Sequence, residues 1–337
     1  MSVQEQPKKS RSLHRRALRL IHHHTVARPH YLLIQLLHRI RDRLHRYLTP
    51  YLGRLQQYPP RPITVPASYA RLPHLPEPPL ISLVTPSFNQ ARFLERTLRS
   101  VLDQDYPRLQ YIVQDGGSTD ETVEVLERFQ DRLARWESAR DRGQSHALNL
   151  GFGHAGGDIL AYLNSDDLLL PGSLHYVAHF FRTHPQVDVV YGHRIVIDAT
   201  DREIGRWVLP PHDNDVLSWA DFVPQETLFW RRSIWEKVGG RIDEEFHFAM
   251  DWDLLLRLRE AGACFARVPR FLAAFRVHEE QKTSAQIADV GIKEMDRLRQ
   301  RCLGRPVSGA EIAARTRPFL RKHLLFHKLY HLGVLGY

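Results

Sequence analysis

The chain has 337 residues, two cysteines and a formal net charge of +9, which is length enough for a full hydrophobic core in one large or two modest domains. Cys264 and Cys302 stand far apart and outside any CxxC spacing, so a disulfide scaffold is excluded and the thiols fit a reducing, cytoplasmic setting. Residues 1–58 carry twelve Lys and Arg against Glu5 and Asp42, which leaves the remainder at −1; the basicity belongs to a tail, and no nucleic-acid-binding surface is expected on the body.

From Tyr31 to Leu52, the residues Leu33, Leu36, Leu37, Ile40, Leu44, Tyr47 and Leu48 recur every three or four positions, with Arg39, Arg41, Arg43 and Arg46 mostly between them. This predicts a basic amphipathic helix within an extension over 1–57. Such a helix either lies in an anionic membrane surface, each basic side chain adding about 1 kcal/mol near the headgroups, or packs on the body or on a second copy. His22, His23 and His24 read as part of a polar helix face. No apolar run reaches the roughly 18 residues of a membrane span, and no charged-then-apolar leader is expected. Eight prolines between Tyr58 and Pro79 predict an extended linker over 58–79 and a domain boundary.

The body begins with a strand in Leu80–Asn89, followed by a helix whose apolar face is Phe93, Leu94, Leu98, Val101 and Leu102. A second strand, Leu109–Asp115, leads through Gly116 and Gly117 to a helix over Glu121–Phe129, with Asp120 and Glu121 in the first turn, where acids suit the helix dipole. Strand, helix, strand, helix predicts a parallel sheet whose ligands bind beyond the carboxyl ends of its strands. Gly143 allows a tight turn, and Gln144–Leu150 start a helix whose free amides face that crevice. Gly157–Asp167 is then a buried strand that delivers Asn164, Ser165, Asp166 and Asp167 to the same edge. Two adjacent carboxylates there repel and lose hydration, which a divalent cation or a cage of hydrogen bonds offsets. Hard oxygen donors on a short loop suit Mg2+ or Mn2+. The alternative is a solvated turn capping the helix that starts near Pro171. No Walker loop or GxGxxG follows these strands, which disfavours ATP or NAD binding.

Thr85-Pro-Ser-Phe-Asn89, Val113-Gln-Asp-Gly-Gly-Ser-Thr-Asp-Glu-Thr122, Asp141-Arg-Gly-Gln-Ser-His-Ala-Leu-Asn149 and Gly157-Asp-Ile-Leu-Ala-Tyr-Leu-Asn-Ser-Asp-Asp167 resemble, in order and spacing, the family 2 glycosyltransferases of GT-A fold. The resemblance covers about residues 80–280. It implies an α/β fold with a mostly parallel central sheet and flanking helices, a domain over 80–285, and helical extensions at 1–57 and 286–337. It implies transfer of a sugar, with inversion, from a nucleotide-diphosphate donor (a UDP-sugar favoured) to a glycan or lipid-linked acceptor hydroxyl.

Carried over position by position, Thr85, Pro86, Ser87, Asp115, Asp141 and Ser165 resemble the nucleotide-contacting residues. Asp115 is also placed to make an Asx turn over Gly116 and Gly117. Asn164-Ser165-Asp166 occupies the family's DxD position with Asn in place of the first Asp, so Asp166, with Asp167 and His278 nearby, is the expected Mn2+ or Mg2+ site. Asp251 matches the general base, the carboxylate that takes the acceptor proton; Asp253, two residues on, is expected to be structural. Gln225 and Glu226 lie in the segment resembling the acceptor side, and Trp230 and Trp252 are candidate sugar-stacking faces, with buried core the commoner fate of tryptophan. Phe275–Thr283 resembles the segment that closes over the donor. Past Gln286 a second basic amphipathic pattern runs through Phe319, Leu320, Leu324, Leu325, Leu329 and Leu332. Two basic ends fit an enzyme of the cytoplasm, peripheral on the membrane, involved in surface polysaccharide synthesis; packing of the ends on each other is the other reading. The competing functions are a nucleotidyltransferase, which would need a Gly- and Lys-rich loop absent from Thr85–Gln90, and a noncatalytic sugar-nucleotide or glycan-binding module of the same fold.

Overall fold

Seven consecutive buried residues make β1 (Ile81–Ser87) the axis of the molecule, and they read as one apolar run because helices cover both of its faces. The computed structural model describes residues 50, 52–279 and 290–337. The chain divides into Met1–Pro50 and Tyr51–Tyr337, and every described residue except Pro50 belongs to the second unit. Of the expected basic helix only Pro50 and Leu52 are described, and residues 280–283 of the segment expected to close over the donor also lie outside the described residues.

The described residues form a nine-stranded sheet. Its further strands are β2 (Leu109–Asp115), β3 (Arg135–Ser138), β4 (Ile159–Tyr162), β5 (Leu168–Leu169), β6 (Val189–Ile197), β7 (Glu203–Trp207), β8 (Phe229–Arg231) and β9 (Phe265–Arg276). The order is β3-β2-β1-β4-β8-β6-β9-β5, with β7 on β6. The first four neighbours pair in parallel. Beyond β4 the sheet becomes mixed: β8 is antiparallel to both β4 and β6, and β6 is parallel to β9.

The helices are α1 (Ala91–Leu102), α2 (Thr122–Phe129), α3 (Gln144–Gly153), α4 (Ser173–Thr183), α5 (Asn214–Leu217), α6 (Arg232–Lys237), α7 (Met250–Glu260), α8 (Ile292–Leu303) and α9 (Gly309–His331). Alternate strand residues enter different cores, as the two-residue period of a strand requires. Ile159, Ala161 and Leu163 join Leu94, Leu98, Val125, Leu126 and Leu174 on the α1, α2 and α4 face. Leu160 and Tyr162 join Leu148, Phe152, Trp235 and Leu254 on the α3, α6 and α7 face. Each fully buried Leu or Val contributes about 1.5–3 kcal/mol relative to exposure. Helix α3 lies very close to β1, because a Cβ on Gly151 would fall 2.4 Å from Val84 Cγ1. That approach sets the start of α3 beside the carboxyl end of β1.

Short β5 pairs with β9 through Leu168↔Ala274 and Leu169↔Ala273, which draws the end of β9 onto the turn after β4. The start of the proline-rich segment is fastened to the edge strand β7. Gln57 N–H donates to Ile204 O at 2.8 Å, and Arg61 and Glu203 exchange backbone bonds at 3.0 and 2.7 Å. The buried Glu203 carboxylate accepts from Tyr58 Oη at 2.5 Å, Arg61 Nη2 at 2.6 Å and Arg206 Nη2 at 2.5 Å. At the far end α9 begins with a capping box, Ser308 and Glu311 satisfying each other's backbone amides. Its inner face buries Thr316, Phe319, His323 and His327, spaced three, four and four as a packed helix stripe requires. No helix among the described residues is long and apolar enough to cross a membrane.

Candidate active site

The exits of β1 and β2 are joined by side-chain bonds centred on Asp115. Its buried carboxylate accepts from the Gly117 and Ser118 amides at 3.1 and 2.9 Å, from Ser118 Oγ at 2.5 Å and from Ser138 Oγ at 2.6 Å. Oδ2 takes three of these bonds and Oδ1 one, so Asp115 anchors an Asx turn while Oδ1 keeps a second acceptor position. Ser118 Oγ in turn accepts from Asn89 N–H at 2.7 Å, and Asn89 Oδ1 accepts from Thr119 N–H at 2.8 Å.

Asp141 lies against this loop from the β3–α3 connection. A Cβ on Gly116 would fall 2.9 Å from Asp141 Oδ2, so a larger residue at 116 would push the Asp141 carboxylate aside. Asp141 Oδ1 accepts from Gly143 N–H at 2.7 Å. Of the three β1 residues expected to touch a nucleotide, Thr85 is buried and bonded to Tyr111 Oη at 2.9 Å, and Pro86 is buried in the strand. Ser87 brings a hydroxyl without a protein partner to the strand end.

The turn after β4 is held from below by Thr97 Oγ1, which donates to Ser165 O and Asp167 O, both at 2.8 Å. Ser165 itself is buried. The two acids that follow diverge. Asp166 keeps its side chain 17 % exposed and its Oδ2 lies 3.0 Å from His278 Nε2, an imidazole 4 % exposed that rests on Phe93. Asp167 is withdrawn into the body, with Oδ1 accepting from Arg276 N–H at 2.9 Å and Oδ2 without a partner. Burial first, then the charges of Asp166 and Glu226, raise its proton affinity well above the usual carboxylate range. Asp167, expected beside Asp166 at a metal, is thus tied to β9 through Oδ1 alone.

Arg276 shapes this turn and was not singled out from the sequence. Its Nε donates to Asp166 O at 2.6 Å and its Nη1 to Asp198 O at 3.1 Å, with Asp201 as a salt-bridge partner. The usable signal was the alternation Arg276, His278 at a strand end, which sends both side chains to one side.

A divalent cation fits this donor set. Asp166 and His278 supply a hard oxygen and an imidazole, and Mg2+ or Mn2+ sites commonly complete their shells with substrate phosphate and water. Asn164 Oδ1 is engaged, accepting from Gln144 Nε2 at 2.7 Å. Among the described residues no group of three or more His, Cys, Asp or Glu is arranged around one point.

The second acidic pair opens α7. Asp251 is half-buried at the crevice side with Oδ1 accepting from Trp252 N–H at 2.9 Å. Asp253 is wholly buried between Arg257 Nε at 2.8 Å and Arg301 Nη1 at 2.6 Å. Four acids surround the buried Tyr162 ring: beyond burial itself, the charges of Asp251, Asp221, Glu226 and Asp167 push its phenol well up. Asp221, which the sequence reading passed over, is exposed beside Asp251.

Glu226 is taken up by Arg194, Nε and Nη2 reaching its two oxygens at 2.6 and 2.5 Å, and Arg194 is stacked between Trp207 and Phe275. Gln225 Nε2 donates to Tyr162 O at 2.8 Å. Trp230 and Trp252 are fully buried, which corrects their reading as sugar-stacking faces. Trp230 packs among Phe152, Tyr162 and Trp235, and the Trp252 indole donates to Leu217 O at 2.8 Å.

The strand ends therefore gather a rim of backbone turns, the Asp166–His278 pair, and half-buried Asp251 with Asp221 beside it. A family model for glycosyl transferase family 2 matches residues 82–239. An uncharacterised glycosyltransferase of Mycobacterium tuberculosis is 33 % identical over 185 residues, covering 53 % of this chain and 68 % of its own length. A PGL/p-HBAD biosynthesis glycosyltransferase of Mycobacterium bovis is 30 % identical over 200 residues, 58 % of this chain and 76 % of its own. Among solved structures, S. aureus TarS in complex with UDP-GlcNAc aligns with a TM-score of 0.55 at 18 % identity, covering 73 % of each chain. The mannosyltransferase PcManGT of Pyrobaculum calidifontis, with GDP-Man and Mn2+, aligns at 0.53 and 20 % identity over 87 % of this chain and 77 % of its own. These two share the fold. The chain belongs to glycosyltransferase family 2 and is a glycosyltransferase.

Proposed function

We propose that this enzyme transfers a sugar, with inversion, from a nucleotide-diphosphate sugar, a UDP-sugar first, to a hydroxyl of a glycan or lipid-linked acceptor in cell-surface polysaccharide or glycolipid synthesis. The observation that carries the reading is the placement of solvent-reaching acids around the Tyr162 strand end: Asp166 paired with His278, and Asp251 at the start of α7 with Asp221 beside it. Asp166 and His278 would hold Mn2+ or Mg2+, which when bound neutralises the departing diphosphate. The loops around Asp115, Asp141 and Ser87 border the nucleotide. Asp251 accepts the acceptor's proton as its oxygen attacks from the face opposite the phosphate. The acceptor class is supported by the name of the Mycobacterium bovis relative and the donor class by the nucleotide sugars in the two aligned structures.

The domain limits 1–57, 58–79, 80–285 and 286–337 belong to the same proposal, as does a cytoplasmic location against the membrane. Leu325 on α9 and Leu332 at its C-cap are 55 % and 73 % exposed, apolar surface that an interfacial contact would cover. Removing residues 1–57 should release the protein from anionic liposomes at low salt; unchanged binding would refute that segment's part.

Titration calorimetry of the full chain with UDP, GDP and dTDP, each with and without Mn2+, tests the site. Binding of one nucleotide strengthened by Mn2+ is expected. No binding of any of them to folded protein would overturn the donor assignment and favour the noncatalytic module.

A further inference from the structure

Three side-chain amides from three separate sequence blocks are joined in series across the end of β4. Gln144, the first residue of α3, donates Nε2–H to Asn164 Oδ1 at 2.7 Å. Asn164 donates Nδ2–H to Gln225 Oε1 at 3.1 Å, and Gln225 donates Nε2–H to the Tyr162 carbonyl at 2.8 Å. The direction of this chain is fixed from its far end. A backbone carbonyl only accepts, so Gln225 must turn its NH2 to Tyr162 and its oxygen to Asn164. Asn164 must then turn its NH2 to Gln225 and its oxygen to Gln144.

That order explains the residue type at position 164. An aspartate would set a carboxylate oxygen against Gln225 Oε1, acceptor against acceptor. Rotating Gln225 to repair the contact would put its oxygen against Tyr162 O. Only a group with one donor side and one acceptor side completes the series, and the residue is half-buried, so a lost partner is not freely replaced by water.

We infer that Asn164 is a bridging amide and not a metal ligand: a positioning residue that ties the donor-side helix α3 to the acceptor-side turn Gln225–Thr227 through the floor of the acid turn. The cation is then left to Asp166 and His278. The bridge also has a reason to matter for transfer. Gln225 is contiguous with Glu226, which is locked to Arg194, and Tyr162 is the ring around which Asp251 and Asp167 are disposed. A small displacement between donor and acceptor sides is enough to slow a reaction that depends on alignment. The inference rests on the transferase reading for its consequence, but its geometry stands on the fold alone.

The test uses full-length protein and the variants Asn164→Ala, Gln225→Ala, their double, Asn164→Asp and Asp166→Asn. Each single change at 164 or 225 should lower the melting temperature by about 2–4 °C, and the double should lose no more than the worse single, because either change breaks the same series. Asn164→Asp should melt at least as low as Asn164→Ala. With whichever of UDP, GDP or dTDP the wild type binds, the Mn2+ concentration giving half-maximal binding should stay within about twofold in Asn164→Ala and Gln225→Ala, and rise about tenfold or more in Asp166→Asn. Additive melting losses would overturn the bridge. A tenfold rise in the Mn2+ requirement in Asn164→Ala that Gln225→Ala does not share would make Asn164 a ligand and overturn the assignment. If the wild type binds no nucleotide, the site reading fails, while the melting series still decides whether the bridge exists.

Discussion

The crevice at the strand ends and the seam beneath α9 both place titratable side chains inside the protein, and they treat them in opposite ways. In the seam His323 is fully committed: Nδ1–H donates to Val208 O at 2.8 Å and Nε2 accepts from Leu52 N–H at 2.9 Å. Burial lowers its pKa to about 4 and that of its neighbour His327 to about 3, so both are neutral. His193, packed at a tilt against Tyr337 and Phe271, is pushed well down by burial and by Arg267. In the crevice each acidic pair is split: Asp167 and Asp253 are buried and held by the fold, while Asp166 and Asp251 reach solvent. A side chain whose bonds are all internal stabilises the fold. One that reaches solvent is within reach of a substrate.

If that division holds, substitutions in the crevice should change turnover and leave melting alone, and those in the seam the reverse. The largest effect is expected from Asp166→Ala, which should lower turnover by about 10³-fold, roughly 4 kcal/mol in the barrier, with a melting temperature near wild type. Equal loss of folding would show that Asp166 is structural and would erase the contrast.

Next comes the pH dependence of the seam. A folded-state pKa near 4 for His323, against about 6.5 unfolded, means that the unfolded chain binds the extra proton between those values. Stability from this histidine is complete above about pH 6.5 and declines as pH falls towards 4, by on the order of 3 kcal/mol. Denaturant unfolding at pH 7, 5.5 and 4.5 should show the decline, and His323→Gln should reduce its slope, with His327 and His193 keeping the rest. An identical slope in the variant would remove His323 from the account.

The smallest effect sharpens the split inside one pair. Asp253→Asn removes a charge held by two arginines that are themselves partly exposed, so about 2 kcal/mol of stability should be lost while nucleotide binding is kept. Loss of binding without loss of stability would mean that Asp253, not Asp251, faces the chemistry.

The parallel half of the fold was legible because its code is local. Leu109–Asp115 and the helix through Gln144 read directly from an apolar run and a turn glycine, and Asp115, Asp141 and Asp166 stand at the strand ends where that pattern put them. The half from β6 to β9 was not, because its strands pair across long stretches of sequence. The contacts that shape the acid turn come from β9, about 110 residues later. Arg194 and Arg276 carry no local signal of burial, and only the assembled strands bring Glu226 and Asp201 to them. Trp230 and Trp252 misled for a related reason: an aromatic near an active-site motif looks the same in sequence whether its ring faces a sugar or the core.

The most direct measurement is made on Asp251→Asn. Binding of the preferred nucleotide with Mn2+ and release of that nucleotide from its sugar donor in the presence of acceptor extract are followed in parallel. The account predicts binding within about twofold of wild type and turnover lower by about 10²–10⁴-fold, the share of a general base. Turnover close to wild type in that variant would contradict the assignment of Asp251 and leave the acceptor side of the crevice without its base.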